Sequence, residues 1–286
     1  MKELVIVSGK GGTGKTSLTA AFAQLAEGCV LCDADVDAAD LHLLTSPVIK
    51  QYNDFFGGVT ASINPQCCTQ CGLCRETCRW NAISDAFEVD AIACEGCGVC
   101  EWRCPVGAVE LKEKCCGQWY ISNTRFGPMV HARLGVAEEN SGKLVTLVRK
   151  EVKTLAEQTR CSLIITDGPP GVGCPVIASI GGASAVLIVT EPTVSGVHDM
   201  DRVAQLARHF KVPAMVCINK FDLNPEKAKE ILVYAEENGL RAIESIPFDP
   251  VMTRAMVRGQ TVLEYDGDAP VSRAVRKAWA DILTII

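Results

Sequence analysis

Residues 8–17 read Ser-Gly-Lys-Gly-Gly-Thr-Gly-Lys-Thr-Ser. Gly9, Gly14, Lys15 and Thr16 take the defining places of the phosphate-loop pattern G-x-x-x-x-G-K-[ST], with Lys10, Gly11, Gly12 and Thr13 between them and Ser17 after. The apolar run Leu4 to Val7 precedes the loop, and Leu18, Ala21, Phe22 and Leu25 follow it at helical spacing. The loop therefore falls where a strand gives way to an amphipathic helix, the context the pattern requires. Glycines let successive backbone N–H groups point at phosphate oxygens, and the helix N-terminus adds partial positive charge. Lys15 and Thr16 would then serve the terminal phosphates and a magnesium ion.

The length of 286 residues allows one large domain and a small one, and the 48% apolar content implies a globular chain. No apolar run approaches the roughly 18 residues of a membrane span. Met1-Lys2-Glu3-Leu4 leads straight into the first strand, so no signal peptide and a cytoplasmic location are expected. The net charge of −6 gives no whole-surface attraction to nucleic acid or anionic lipid. Sixteen cysteines in such a chain, many tightly clustered, favour metal binding over disulfides.

Two cassettes carry that chemistry. Cys68, Cys71, Cys74 and Cys78 are followed, 26 residues on, by Cys94, Cys97, Cys100 and Cys104, and the same shift maps Ala82-Ile83 onto Ala108-Val109. This internal duplication resembles the bacterial ferredoxin arrangement, in which three cysteines of one run and the fourth of the other hold one [4Fe-4S] cluster. The resemblance implies one cluster on Cys68, Cys71, Cys74 and Cys104, and a second on Cys94, Cys97, Cys100 and Cys78. Zinc is the competing reading, disfavoured because eight cysteines in this duplicated spacing have no simple tetrahedral solution. Arg79 stands after Cys78 where such cassettes carry proline, and Cys67, Cys115 and Cys116 fall outside the spacing. Electron relay is implied over a purely structural role, since one cluster would suffice as a staple.

Around the cassettes, strands alternate with helices. Strands are expected at Cys29–Asp33, Gln118–Ser122, Met129–Leu134, Cys161–Thr166, Ala185–Thr190, Pro213–Ile218 and Arg241–Ile246. Helices are expected from about Asn140 to Thr159 and near Val197–His209, Pro225–Glu237 and Val271–Ile285. The pattern implies an α/β fold, a mostly parallel sheet covered by helices on both faces, with a small α+β ferredoxin-like insertion. The expected division is 1–58 with 115–286 for the nucleotide domain and 59–114 for the insertion. Asp33, Asp35 and Asp37 follow the second strand, where carboxylates either reach magnesium and orient water or simply cap a turn. Asp167 closes an apolar strand, the place of a magnesium-holding Walker-B acid, and Pro-Pro-Gly follows as the start of a loop sensing the terminal phosphate. Asn219-Lys-Phe-Asp222 matches the guanine-reading N-K-x-D segment, but the spacing after Asp167 departs from GTPases. The apolar stripe of the last helix reads as core rather than a membrane anchor.

Lys10 narrows the family. Gly9-Lys10-Gly11-Gly12-Thr13-Gly14-Lys15-Thr16 resembles the deviant Walker A motif of the MinD/ParA/Mrp ATPases and the nitrogenase iron protein. Asp33-Ala-Asp35 resembles their switch I, Asp167-Gly-Pro-Pro-Gly an Mrp-like switch II, and Glu191-Pro-Thr-Val-Ser-Gly-Val-His-Asp-Met-Asp-Arg a MinD segment. The resemblance implies a homodimer with ATP between two subunits and Lys10 reaching the partner's nucleotide. It also implies Lys15 on the β- and γ-phosphates, magnesium near Thr16, Asp35 and Asp167, Asp33 assisting, and Asn219 and Pro247 near adenine. Cys174 matches a cluster-ligand position of the iron protein, with Cys115 or Cys116 the available second ligand for a bridging cluster, but an ordinary small buried or redox-sensitive thiol is the preferred reading. The leading expectation is an ATPase, slow and stimulated by dimerisation or a partner, whose nucleotide state gates electron transfer through two [4Fe-4S] clusters to or from a partner protein. The alternatives are a nucleotide-switched scaffold or cluster carrier, and a MinD-type positioning ATPase. No nucleic acid or membrane partner is expected.

Overall fold

The computed structural model describes residues 1–135 and 138–286. The run after Lys2 forms β1 (Lys2–Ser8), buried from Glu3 onward. Its side chains alternate between faces, as a strand demands. Leu4 and Ile6 enter a core with Phe22, Leu31, Ile165, Leu187 and Trp279. Val5 and Val7 enter another with Val176, Ile188, Met200, Val216 and Ile231. A strand buried on both faces is the mark of a parallel sheet between helix layers.

The chain continues through α1 (Lys15–Leu25), β2 (Val30–Asp33), α2 (Leu41–Thr45), β3 (Val48–Ile63), α3 (Leu73–Glu76), α4 (Val99–Trp102), β4 (Val109–Thr124) and β5 (Gly127–Leu134). It then runs through α5 (Ser141–Gln158), β6 (Leu163–Pro170), α6 (Cys174–Ile180), β7 (Ala185–Thr190), α7 (Val194–His209) and β8 (Ala214–Ile218). After a 3-10 turn at Phe221–Leu223 come α8 (Pro225–Glu237), β9 (Arg241–Ala242), α9 (Pro250–Val257), α10 (Val262–Tyr265) and α11 (Pro270–Leu283). The strand order is β3-β4-β5-β2-β6-β1-β7-β8-β9. β1 pairs in parallel with β6 and β7, β2 with β5 and β6, and β8 with β7 and β9. The register sets Asp33 beside Asp167 and Ser8 beside Pro170, which gathers the carboxyl ends of β1, β2 and β6 in one place.

Several elements differ from the sequence expectation for identifiable reasons. β6 runs on to Pro170 because its pairing with β1 continues to Ser8, so Asp167-Gly-Pro-Pro is strand and the loop begins at Gly171. The strand expected over 241–246 shrinks to Arg241–Ala242 plus one bridge from Ile246 to Asn219. β3 was not expected, because Lys50-Gln-Tyr-Asn-Asp shows no clean apolar alternation; most of its first half is exposed. α11 packs its stripe into the core, with Trp279 stacked on Phe22 at 5.5 Å between ring centroids. Among the described residues no helix is long and apolar enough to cross a membrane.

The chain divides into two compact units, Met1–Asn53 with Trp119–Arg133 and Ser141–Ile286, and Asp54–Gln118 with Leu134–Asn140. The duplicated cassettes appear within the second unit as equivalent turns. Gly72 and Gly98, at φ 83° and 75°, open α3 and α4, and Ala61, Cys74, Ile83 and Val109 form its small core.

Candidate functional site

Gly14 takes a left-handed conformation, φ 85°, and starts α1 at Lys15. Lys15 is buried with Nζ 3.1 Å from Asp167 Oδ1 and 3.4 Å from Asp35 Oδ2. Thr16 Oγ1 donates to Asp167 Oδ2 at 2.7 Å, and Thr19 Oγ1 donates to Asp167 Oδ1 at 2.8 Å. Asp33, wholly buried, accepts from the Asp35 N–H and the Leu41 N–H, both at 3.2 Å, and so shapes the turn from β2 into α2. The structure thus brings Lys15, Thr16, Asp33, Asp35 and Asp167 together; Thr19 is an addition that helical spacing from Lys15 could have suggested.

The electrostatics are crowded. Burial drives the Asp33 carboxyl well above its usual range, with Asp167 adding and Lys15 opposing. Burial likewise pushes Asp35 up to about 6, Lys15 opposing and Asp167 adding. Burial lowers Lys15, but the charges of Asp167, Asp35 and Asp33 outweigh it and leave the ammonium raised. Three carboxyl groups crowd one ammonium and raise one another, an environment in which a divalent cation would favour their ionised forms. Thr13 Oγ1 is buried and finds no hydrogen-bond partner among the described residues. An orphaned buried hydroxyl costs roughly 1–3 kcal/mol, so its place on the phosphate loop suits a ligand oxygen.

A cavity of about 390 Å³ opens over the loop, lined by Gly11 to Ser17 and Asp35 on one side and by Asn219, Pro247, Phe248 and Met256 on another. That volume is in the range of small-molecule sites. Asn219 Nδ2 donates to Thr13 O at 2.7 Å, tying β8's end to the loop. Asp222 commits Oδ1 to the Phe248 N–H at 2.7 Å, holding the Pro247-Phe248 turn instead of lining the cavity. Lys10 is half-exposed, its Nζ 3.3 Å from Glu191 Oε2 and 3.5 Å from Ser195 Oγ. Lys220 Nζ lies 2.5 Å from Glu191 Oε1 and 3.5 Å from Gly12 O. This pairing was invisible in the sequence, where Glu191 is 181 positions from Lys10.

In the second unit, Cys68, Cys71, Cys74 and Cys104 line one small cavity. Backbone N–H groups point at the cassette sulfurs: Gln70 at Cys68 (3.4 Å), Ala82 at Cys78 (3.4 Å), Ala61 at Cys94 (3.5 Å) and Ala108 at Cys104 (3.2 Å). The Cys78 and Cys104 bonds are related by the same 26-residue shift as the cassettes. Burial raises the Cys104 thiol, but N–H groups of Val106, Ala108, Val109 and Gly107 outweigh it and leave it lowered. Among the described residues no three His, Cys, Asp or Glu side chains are gathered closely enough for a metal ion. Cys174, exposed, begins α6; Cys115 is exposed and Cys116 buried.

Residues 4–262 match the family model of the CobQ/CobB/MinD/ParA nucleotide binding domain. An uncharacterized protein of Methanocaldococcus jannaschii is 31% identical over 287 positions, covering 99% of this chain and 97% of its own. Among solved structures, the cell division ATPase MinD of Pyrococcus furiosus aligns at TM-score 0.61 and 18% identity, over 100% of this chain and 99% of that one. The septum site-determining protein MinD of Pyrococcus horikoshii, solved with Mg-ADP, aligns at TM-score 0.60 and 17% identity, over 98% and 95%. At those identities the likeness is one of fold.

Proposed function

The chain belongs to the CobQ/CobB/MinD/ParA nucleotide-binding family, and we propose that it is a homodimeric ATPase whose nucleotide state gates electron transfer through two [4Fe-4S] clusters to or from a partner protein. The observation that carries the nucleotide half is Lys15 and Thr16 converging on Asp167 beneath a cavity lined by the phosphate loop. In this reading Gly9 to Ser17 cradle the phosphates with backbone N–H groups, and Lys15 leaves its carboxylates for the β- and γ-phosphates. Thr16, Asp35 and Asp167 would hold magnesium, which would neutralise phosphate charge. Asp33, fixed by the Asp35 and Leu41 N–H groups, keeps Asp35 placed to orient the attacking water. Asn219 and Pro247 border the adenine end of the cavity. Adenine is preferred to guanine because Asp222, which would have to read guanine, turns Oδ1 to the Phe248 N–H and does not line the cavity. Lys10 acts on the nucleotide of the second subunit.

The cluster half rests on the donor set: eight thiols in duplicated spacing, with N–H groups directed at Cys68, Cys78, Cys94 and Cys104. Backbone N–H groups favour a thiolate, the form that binds iron. A four-iron cube spreads its cysteine ligands over four separate metals, so it asks for a wider ring of sulfurs than one ion does. Cys68, Cys71, Cys74 and Cys104 would hold one cluster, Cys94, Cys97, Cys100 and Cys78 the other, in an inserted ferredoxin-like domain over 59–114. Such clusters, when bound, supply one-electron chemistry at a potential set by their surroundings.

A cluster-carrier reading has one observation in its favour, the exposure of Cys71 and Cys97. Anaerobic reconstitution separates the readings. Two clusters per chain that stay bound during incubation with an apo-ferredoxin support electron transfer; loss of iron to the acceptor upon MgATP addition supports the carrier. Zinc in place of iron and sulfide would contradict both.

A further inference from the structure

Lys10 is held on its own subunit by a carboxylate that already has another cation. Glu191, at the end of β7, receives Lys10 Nζ at 3.3 Å on Oε2 and Lys220 Nζ at 2.5 Å on Oε1. Ser195 Oγ, in the first turn of α7, accepts from Lys10 at 3.5 Å. The backbone beneath is clamped: a Cβ on Gly9 would lie 2.1 Å from Asp199 Cβ on the same helix. Lys10 can therefore leave only by swinging its side chain, with the main chain staying against α7.

We propose that Glu191 is a positioning residue that parks Lys10 in cis and sets how readily it is released to the nucleotide of a second copy of this chain. The inference rests on the shared-site reading above. Its physical basis is the double occupancy of Glu191. Removing one partner from a partly buried ion pair leaves an uncompensated charge and is unfavourable. Glu191 escapes that penalty, because Lys220 remains on Oε1 when Lys10 departs. Lys220 in turn reaches Gly12 O at 3.5 Å, so the carboxylate stays fixed to the phosphate loop while Lys10 moves. Burial raises Glu191, but Lys220 and Lys10 outweigh it and keep the carboxyl lowered, so it is ionised and able to hold both lysines at neutral pH. Two lysines on one acid make a release device: the fixed cation determines what the mobile one leaves behind.

The two partners of Glu191 predict opposite effects. Glu191→Gln removes the parking charge, so Lys10 is free before the subunits meet and the dimer tightens. Lys220→Met leaves Glu191 with Lys10 alone, so release strands the carboxylate and the dimer weakens. The dimer dissociation constant of the full chain, measured by analytical ultracentrifugation with a saturating non-hydrolysable ATP analogue and magnesium, should fall about threefold to fivefold in E191Q and rise by a similar factor in K220M, for one partly exposed charge contact each. Ser195→Ala should move it in the E191Q direction by less. In a Lys10→Ala background E191Q should produce no tightening, which a general loosening of the loop would not respect. Nucleotide affinity of the monomer, read with a fluorescent ATP analogue, confirms that each variant is folded and saturated. A wild-type dimer that E191Q leaves unchanged or weakens, or an equal gain without Lys10, would overturn the inference alone. Failure of the wild type to dimerise would overturn the shared site and this inference together.

Discussion

Alanine substitutions at three glycines of the phosphate loop should separate into three classes of stability. Gly11 is not at positive φ, and a Cβ there meets nothing within 4 Å. Gly11→Ala should be neutral or stabilise slightly, by up to about 1 kcal/mol, through reduced freedom of the unfolded chain. Gly12 has φ +81° with open space around its missing Cβ. Gly12→Ala should therefore show only the left-handed penalty, about 1–2 kcal/mol. Gly14 combines φ +85° with a Cβ site 2.4 Å from Asn219 Nδ2. That amide donates to Thr13 O at 2.7 Å and is buried, so Gly14→Ala must also displace a buried hydrogen bond, a further 1–3 kcal/mol or so. Urea unfolding of the nucleotide-free chain, followed by circular dichroism, should order the midpoints as G11A at or above wild type, G12A below it and G14A lowest. Equal losses in G12A and G14A would refute the claim that Asn219 pins the loop, and a large loss in G11A would refute the geometry of the loop itself.

Burial, with His42 adding, lowers His131 from 6.5 to about 4. The unfolded chain takes up that proton at higher pH, so stability is full above 6.5 and falls by about 3 kcal/mol as pH drops to 4; His131→Gln should flatten this limb of the urea midpoint profile, and an unchanged slope would contradict it. Arg149 holds Glu3 with Nε at 2.9 Å and Nη2 at 2.6 Å in a buried pair. Lys153 Nζ, 3.5 Å from Glu3 Oε2, stays on the carboxylate when Arg149 is removed, so Arg149→Met should cost about 1–3 kcal/mol in unfolding free energy through lost hydrogen bonds and Arg149→Met/Lys153→Met, which strands Glu3, about 3–5 kcal/mol; equal losses would show that the stranded carboxylate is not the cause. Cys104→Ser and Cys78→Ser should each remove about half of the iron from the reconstituted chain, with Cys174→Ser retaining all of it; iron analysis showing loss only in C174S would relocate the metal to α6.

The first unit was legible wherever one segment carries its own signal. Leu4–Val7 and the loop after it announce a buried strand and a phosphate site, and Asp167 follows from an apolar run ending in acid. Lys15, Thr16, Asp35 and Asp167 then meet because parallel pairing of β2 and β6 sets Asp33 beside Asp167, something periodicity does not specify. The short helices α2, α3, α4, α6, α9 and α10 lie outside the sequence expectation, and for α9 and α10 this is so although their caps are written locally: Asp249 accepts from the Val251 N–H, and Thr261 with Glu264 forms a capping box. β3 is hidden for the opposite reason, since an edge strand whose first half is exposed needs no apolar alternation there. The sharing of Glu191 by Lys10 and Lys220 arises only when β7, β8 and the loop are assembled. In the second unit the duplication showed directly in the cysteine spacing, whereas the N–H groups aimed at Cys78 and Cys104 come from turn geometry that spacing only implies.

Whether nucleotide state is felt by the cysteine unit is decided most directly by anaerobic redox titration of the reconstituted chain, followed by EPR, with MgATP, with MgADP and without nucleotide. Rapid mixing of the reduced protein with a soluble one-electron acceptor protein completes the measurement. Because 1.4 kcal/mol between two states is already a tenfold bias, nucleotide gating should give a shift in cluster potential or about a tenfold change in electron-transfer rate between MgATP and MgADP, absent in Lys10→Ala. Identical potentials and identical rates in all three conditions would contradict it.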